Sequence, residues 1–276
     1  DFDPSLQIRS NCGYLPRLVR EGFRGPVYCT SATGEIMRIS LLDSAHLQES
    51  DAEHKRRRHE REGRKGPHPE LPLYTVEDAK ACFPQLTTLR QKQPQQLSSN
   101  VTATFYDAGH ILGSSMVAVD IAINGANRRI LFSGDVGRWD RPILKDPTVF
   151  DQADYILVES TYGNRTHGSV EDIKDELERV IKLTVQAGGN LVVPSFAIER
   201  AQELLYYMKE LLAADRIPHI LVFLDSPMAI AVTEVFRNHT RLFDEEAQQL
   251  IREEGSPFDF PTLTAVESVD HSKALN

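Results

Sequence analysis

The pattern of strand signals changes character along this chain, and that change limits what it can fold into. Up to residue 159 the extended segments follow one another, at 101–107, 116–123, 129–133 and 154–159. In the first, Val101, Ala103 and Phe105 share one face while Thr102, Thr104 and Tyr106 share the other. Alternation with period two marks a strand with one buried side. Farther on, strand signals at 190–195 and 219–224 alternate with helical ones. Val170, Ile173, Leu177, Val180 and Ile181 line one face of a predicted helix over 170–185, with Ser169 and Asp172 as a capping pair. Ala201, Leu204, Leu205, Met208, Leu211 and Leu212 do the same over 199–212. Consecutive strands with helices before and after predict an α/β sandwich, whereas strand–helix alternation predicts βαβ units and a parallel sheet. We therefore place a domain change near residue 168, giving domains 1–167 and 168–276. Ahead of the strands, the chain reads as a short helix (Leu15 to Glu21), a strand at Val27-Tyr28-Cys29 and a helix after Thr33. A polar, charged stretch from Asp43 to Pro72 follows.

Two of the strand ends carry chemistry. Asp107-Ala108-Gly109-His110 and Phe132-Ser133-Gly134-Asp135 each place one metal-competent side chain in the turn after a strand, and Gly134 permits a sharp turn. A neutral imidazole and a carboxylate held this way are ligands that a catalytic zinc takes. The residues alone leave a second reading open, in which His110 is a hydrogen-bonded loop histidine and Asp135 a turn former.

Length and composition set the bounds. A chain of 276 residues, 41% hydrophobic and 26% charged, has the makings of a globular protein with a substantial core. There is no apolar run near the length of a membrane span, and the acidic, polar start does not read as a signal peptide, so no membrane association is expected. Cys12, Cys29 and Cys82 have no metal-type spacing and cannot all pair, which suits a reducing, cytoplasmic setting. A net charge of −9 argues against broad wrapping of nucleic acid but leaves room for a local cleft where metal ions supply the positive field. The densest basic run is Lys55-Arg56-Arg57-Arg58 with Arg61, Arg64 and Lys65. It reads equally as a phosphate-binding stripe or as a solvated helix, because Asp51, Glu53, Glu60 and Glu62 are interleaved. Ser226-Pro227 reads as a helix N-cap and first helical residue rather than as a nucleophile.

Seven short motifs appear in a telling order. They are Cys12-Gly13-Tyr14-Leu15-Pro16-Arg17-Leu18, Asp43-Ser44-Ala45-His46, Gly109-His110-Ile111-Leu112-Gly113-Ser114, Ser133-Gly134-Asp135-Val136-Gly137-Arg138, Glu159-Ser160-Thr161-Tyr162-Gly163, Pro194-Ser195-Phe196-Ala197 and Leu224-Asp225-Ser226-Pro227-Met228-Ala229. The series resembles the β-CASP branch of the metallo-β-lactamase superfamily, from about Gly13 to about Asn276. The resemblance implies a metallo-β-lactamase-type αββα sandwich, incomplete here, with a partial β-CASP α/β domain. It also implies zinc-dependent hydrolysis of RNA phosphodiester bonds, with two zincs in a complete site and single-stranded RNA as substrate. His110 would then ligate one zinc, and Asp135 would be the carboxylate bridging both. Glu159 would be the acidic residue that orients a catalytic histidine further on. Arg165, His167 and Arg200 would lie near the cleft as RNA contacts. Both homo- and hetero-oligomeric assembly stay open.

The sequence departs from the family pattern at one point. The His-x-His-x-Asp-His segment expected before Cys12 is replaced by Leu6-Gln7-Ile8-Arg9-Ser10-Asn11, and no histidine precedes His46. Histidines that the family supplies beyond Asn276 are missing too. We therefore expect an incomplete, inactive site in the chain as it stands. That keeps two further readings in play: a non-catalytic relative that binds RNA or protein, and a small ester or thioester hydrolase. The ester reading leaves the motifs from Glu159 to Ala229 without a role.

Overall fold

A computed structural model describes residues 12–66, 69–164 and 170–275. The chain divides into two compact units. One comprises Asp1–Tyr106, Gly113–Gly134 and Phe150–Leu157, the other Asp107–Leu112, Asp135–Val149 and Val158–Asn276.

In the first unit, helix α1 (Leu15–Arg20) has Pro16 in its first turn, where a missing N–H costs nothing. Strand β1 (Val27–Cys29) leads into helix α2 (Ser31–Glu62). The helix expected after Thr33 begins at Ser31, because Thr30 stays extended and its hydroxyl accepts the Thr33 N–H. It also runs through the charged stretch to Glu62 and stops at Gly63, whose φ of 62° ends the helix. The interleaved acids pair on that helix, Arg57 with Glu53 and Arg58 with Glu62. His59 of the same helix meets Glu70 at 2.5 Å. Helix α3 (Val76–Cys82) opens with a reciprocal cap between Thr75 and Asp78. Strand β2 (Leu86–Thr88) pairs in parallel with β1.

A five-stranded sheet follows, built from β3 (Gln95–Ser98), β4 (Val101–Asp107), β5 (Ser115–Ile123), β6 (Ala126–Phe132) and β7 (Tyr155–Leu157) in that spatial order. The β5–β6 hairpin turns at Asn124 and Gly125, both at positive φ, the signature of a two-residue turn that matches strand twist. Strand β7 joins β6 in parallel. Ala103, Phe105 and Val117 are buried together, with Tyr28, Leu89, Val119 and Phe132 packed against them. The alternation read in residues 101–107 thus places its apolar face in a core, although Thr104 is buried as well.

The second unit holds α4 (Val170–Gln186), α5 (Arg200–Ala213), β8 (Val222–Leu224), α6 (Pro227–Asn238), α7 (Glu245–Glu254), β9 (Leu263–Ala265) and α8 (Val269–Ala274). Strands β8 and β9 are parallel, the arrangement that strand–helix alternation predicts. Two expectations fail here. Residues 190–195 form no strand, and 219–224 contributes only its last three residues. The apolar Leu191, Val192 and Val193 are exposed: β-branched residues suit a strand, but a strand exists only where a ladder partner lies alongside. Ser226 caps α6 by accepting the Ala229 N–H, with Pro227 as first residue, as the sequence predicts. The cap expected from Ser169 lies outside the described residues. Ile181, Leu211 and Ile217 form one core with Leu177, Met208, Leu212 and Ile220. Phe236, Phe243 and Phe258 form another, with rings 5.8–6.3 Å apart. Among the described residues, no helix is long and apolar enough to cross a membrane.

Candidate active site

The two motif loops meet through glycine backbone. After β4, Gly109 adopts a φ of 62°; after β6, Gly134 adopts 59°. The Gly137 N–H donates to the Ala108 carbonyl at 2.8 Å, and the Thr148 N–H to that of Asp107 at 2.9 Å. A Cβ on Gly137 would lie 1.6 Å from the Gly109 oxygen, and one on Gly109 would lie 2.8 Å from Pro147 Cδ. Only glycines allow this approach. Its product is the apposition of His110 Nε2 and Asp135 Oδ2 at 3.6 Å, with each side chain about a third exposed (35% and 33%). Glu159 Oε1 accepts the Val136 N–H at 2.8 Å and so holds the residue next to Asp135.

Sequence reasoning missed a second set of carboxylates. Glu199 is buried and its Oε2 accepts the Leu112 N–H at 2.9 Å. Its backbone is left-handed (φ 68°, ψ −55°), with the Arg200 N–H closing on the Ile198 carbonyl at 2.9 Å. That is a γ-turn of the rarer hand, a conformation costing on the order of 1–3 kcal/mol for a residue with a Cβ. Burial pushes the Glu199 carboxyl up to about 8, against the opposing pull of Arg141. Glu203, also buried, is met by Arg141 at 2.8 Å and Arg200 at 3.2 Å, and accepts a hydrogen bond from the Tyr207 hydroxyl. Arg200, a predicted RNA contact, is thus tethered yet half exposed (51%). Arg165 and His167 lie outside the described residues. In the sequence, Glu199 looks like an exposed acid at a helix start, favoured there by the helix dipole. Nothing in the residue pattern signals its positive φ.

The donor types at His110 and Asp135 fit a metal. Tetrahedral ligands at about 2.1 Å from zinc stand about 3.4 Å apart, close to the His110–Asp135 separation. A catalytic zinc takes about three protein ligands. Among the described residues, no three His, Cys, Asp or Glu side chains converge as a metal group.

Glycine-stacked loops that bring an imidazole and a carboxylate together from two strand ends go with a defined class. The Metallo-beta-lactamase superfamily domain matches residues 11–136, which include both His110 and Asp135. The Beta-Casp domain matches residues 201–276, and the chain belongs to the β-CASP branch of the metallo-β-lactamase superfamily. The chain is 33% identical over 264 residues to Ribonuclease TTHA0252 of Thermus thermophilus, covering 96% of this chain and 55% of that protein. It is 29% identical to Transcription termination factor FttA of Methanosarcina mazei, covering 93% and 38%. It is 27% identical to Cleavage and polyadenylation specificity factor 73 of Drosophila melanogaster, covering 94% and 35%. The chain therefore spans about half or less of the length of these relatives.

Proposed function

We propose that this chain carries part of a zinc-dependent RNA nuclease site that hydrolyses phosphodiester bonds. The observation that carries the reading is the 3.6 Å apposition of His110 and Asp135 on glycine-stacked loops. In this reading His110 and Asp135 are metal ligands, and Glu159 steadies the Asp135 loop through the Val136 N–H. The exposed part of the Arg200 guanidinium meets a phosphate of single-stranded RNA, and the same role falls to Arg165 and His167 by the family resemblance alone. Zinc held there would supply Lewis acidity towards a phosphate oxygen and lower the pKa of its water. We place the boundary between the lactamase-like and β-CASP parts near residue 168. Cys12, Cys29 and Cys82 are buried, and burial raises all three thiols, Cys12 to about 12, so they are inert and suit a cytoplasmic setting.

Two donors should hold zinc poorly. Less than about one zinc per chain is expected after exhaustive dialysis, by elemental analysis. Two retained zincs would refute the incomplete site. In a protein given a family-type His-x-His-x-Asp-His segment before Cys12 and the C-terminal portion of its relatives, chelator-sensitive RNA cleavage is expected. There Asp135→Asn should lower the rate more than about 100-fold, since changes to groups that merely support metal ligands already cost 10–100-fold. Cleavage that persists in chelator with Asp135→Asn would overturn the metal assignment. The replacement of the His-x-His-x-Asp-His pattern by Leu6–Asn11 keeps a second reading, a non-catalytic relative that binds RNA or protein; a completed protein that takes up zinc and binds but never cleaves RNA would establish it.

The basic run on α2 gives a separate test. Changing Lys55, Arg56, Arg57 and Arg58 to Gln should alter unfolding free energy in urea by no more than about 0.5 kcal/mol per substitution, because all four are exposed. If that helix contacts RNA, affinity falls and its salt dependence becomes shallower. An unchanged salt slope marks the run as a solvated face.

A further inference from the structure

The loop Asp107–Leu112 is tied at three places. Its first residue accepts the Thr148 N–H, its second accepts the Gly137 N–H, and its last donates to Glu199 Oε2 at 2.9 Å. His110 lies between the second and third ties. Leu112 is fully buried, so without Glu199 its N–H would face a buried environment with that acceptor gone. The left-handed backbone at Glu199 turns the side chain inward instead of leaving it in solvent at the helix start. Among the described residues, the second carboxyl oxygen, Oε1, is buried and meets no hydrogen-bond partner. Strain held at one residue, with a buried carboxyl aimed at a motif loop, is the pattern that marks a functional constraint rather than a helix cap.

We propose that Glu199 is a positioning residue that pins the end of the loop Asp107–Leu112 and thereby holds His110 against Asp135. Its consequence for catalysis rests on the nuclease reading above; the anchoring itself does not. A raised carboxyl, uncharged near pH 6, fits this role, because a neutral acid accepts the Leu112 N–H as an amide would.

The test compares wild type, Glu199→Gln and Glu199→Gly by hydrogen–deuterium exchange at pH 6. Glycine takes a φ of 68° without strain and keeps the turn, so Glu199→Gly removes the carboxyl alone. Glutamine keeps the acceptor. Glu199→Gly should speed exchange across 107–112 by about tenfold, the factor set by one lost hydrogen bond, while exchange in α5 changes little. Glu199→Gln should exchange like wild type. Zn2+ alone, titrated calorimetrically, should bind more weakly to Glu199→Gly and unchanged to Glu199→Gln. Exchange that is unaltered, or that rises evenly through loop and helix, overturns the assignment, as does failure of Glu199→Gln to behave like wild type. Absence of measurable Zn2+ binding in all three proteins agrees with the weak two-donor site described above, and the exchange result then decides the anchor by itself.

Discussion

Gly137→Ala is expected to cost about 3 kcal/mol or more, at the upper end for added atoms in a packed site. The new Cβ would stand 1.6 Å from the Gly109 carbonyl oxygen and 2.7 Å from the His110 nitrogen. Both are backbone atoms, so no rotamer change relieves the overlap; one loop has to leave the other. Gly109 has little room on its other side, because a Cβ built there would lie 2.8 Å from Pro147 Cδ and 2.9 Å from the Lys145 carbonyl oxygen. The Gly137→Ala protein should therefore lose the His110–Asp135 apposition before it loses the sheet. Urea unfolding against Gly13→Ala as control tests this, since a Cβ on Gly13 meets nothing within 4 Å. Gly137→Ala within about 1 kcal/mol of that control would mean the loops separate freely, and the site would lose its structural basis.

The second large effect is on pH dependence. Glu199 titrates near an ordinary 4.5 when unfolded and about 8 when folded. Below the unfolded value both states are protonated and the stabilising contribution is whole. As pH rises from about 4.5 to about 8 the unfolded chain gives up its proton while the folded one keeps it, so stability falls, and above the folded value it levels off. The slope is about 1.4 kcal/mol per pH unit, and the whole loss is on the order of 5 kcal/mol. Glu199→Gln has no such proton to lose. Its stability relative to wild type should climb between pH 5 and pH 8, in urea titrations at matched ionic strength. Parallel curves for the two proteins over that range would show that the carboxyl is ionised inside the fold and that its burial is less complete than the geometry indicates.

Local pattern determined a good deal of this protein. Periodicity of two identified β4, because a one-faced strand has to alternate whatever it later packs against, and strand signals at 116–123 and 129–133 located β5 and β6. Helical periodicity located α4 and α5, and Ser226-Pro227 marked the start of α6, since a cap is a contact made within one turn of chain. The Gly109-His110 and Gly134-Asp135 turns were legible for the same reason: a glycine at positive φ is a property of a few residues. Tertiary structure decided the rest. Residues 190–195 have strand composition, but ladder pairing depends on a distant segment and was not theirs to fix. The charged stretch after Asp43 became helix because α2 was already nucleated from Thr30 and propagation adds one bond per residue. That Gly137 must be glycine because of Gly109, and that Glu199 is a buried anchor for Leu112, follows only from backbone brought close across long separations in the chain. No window of sequence contains both partners of such a contact, so the residues that position His110 emerged only from the folded chain.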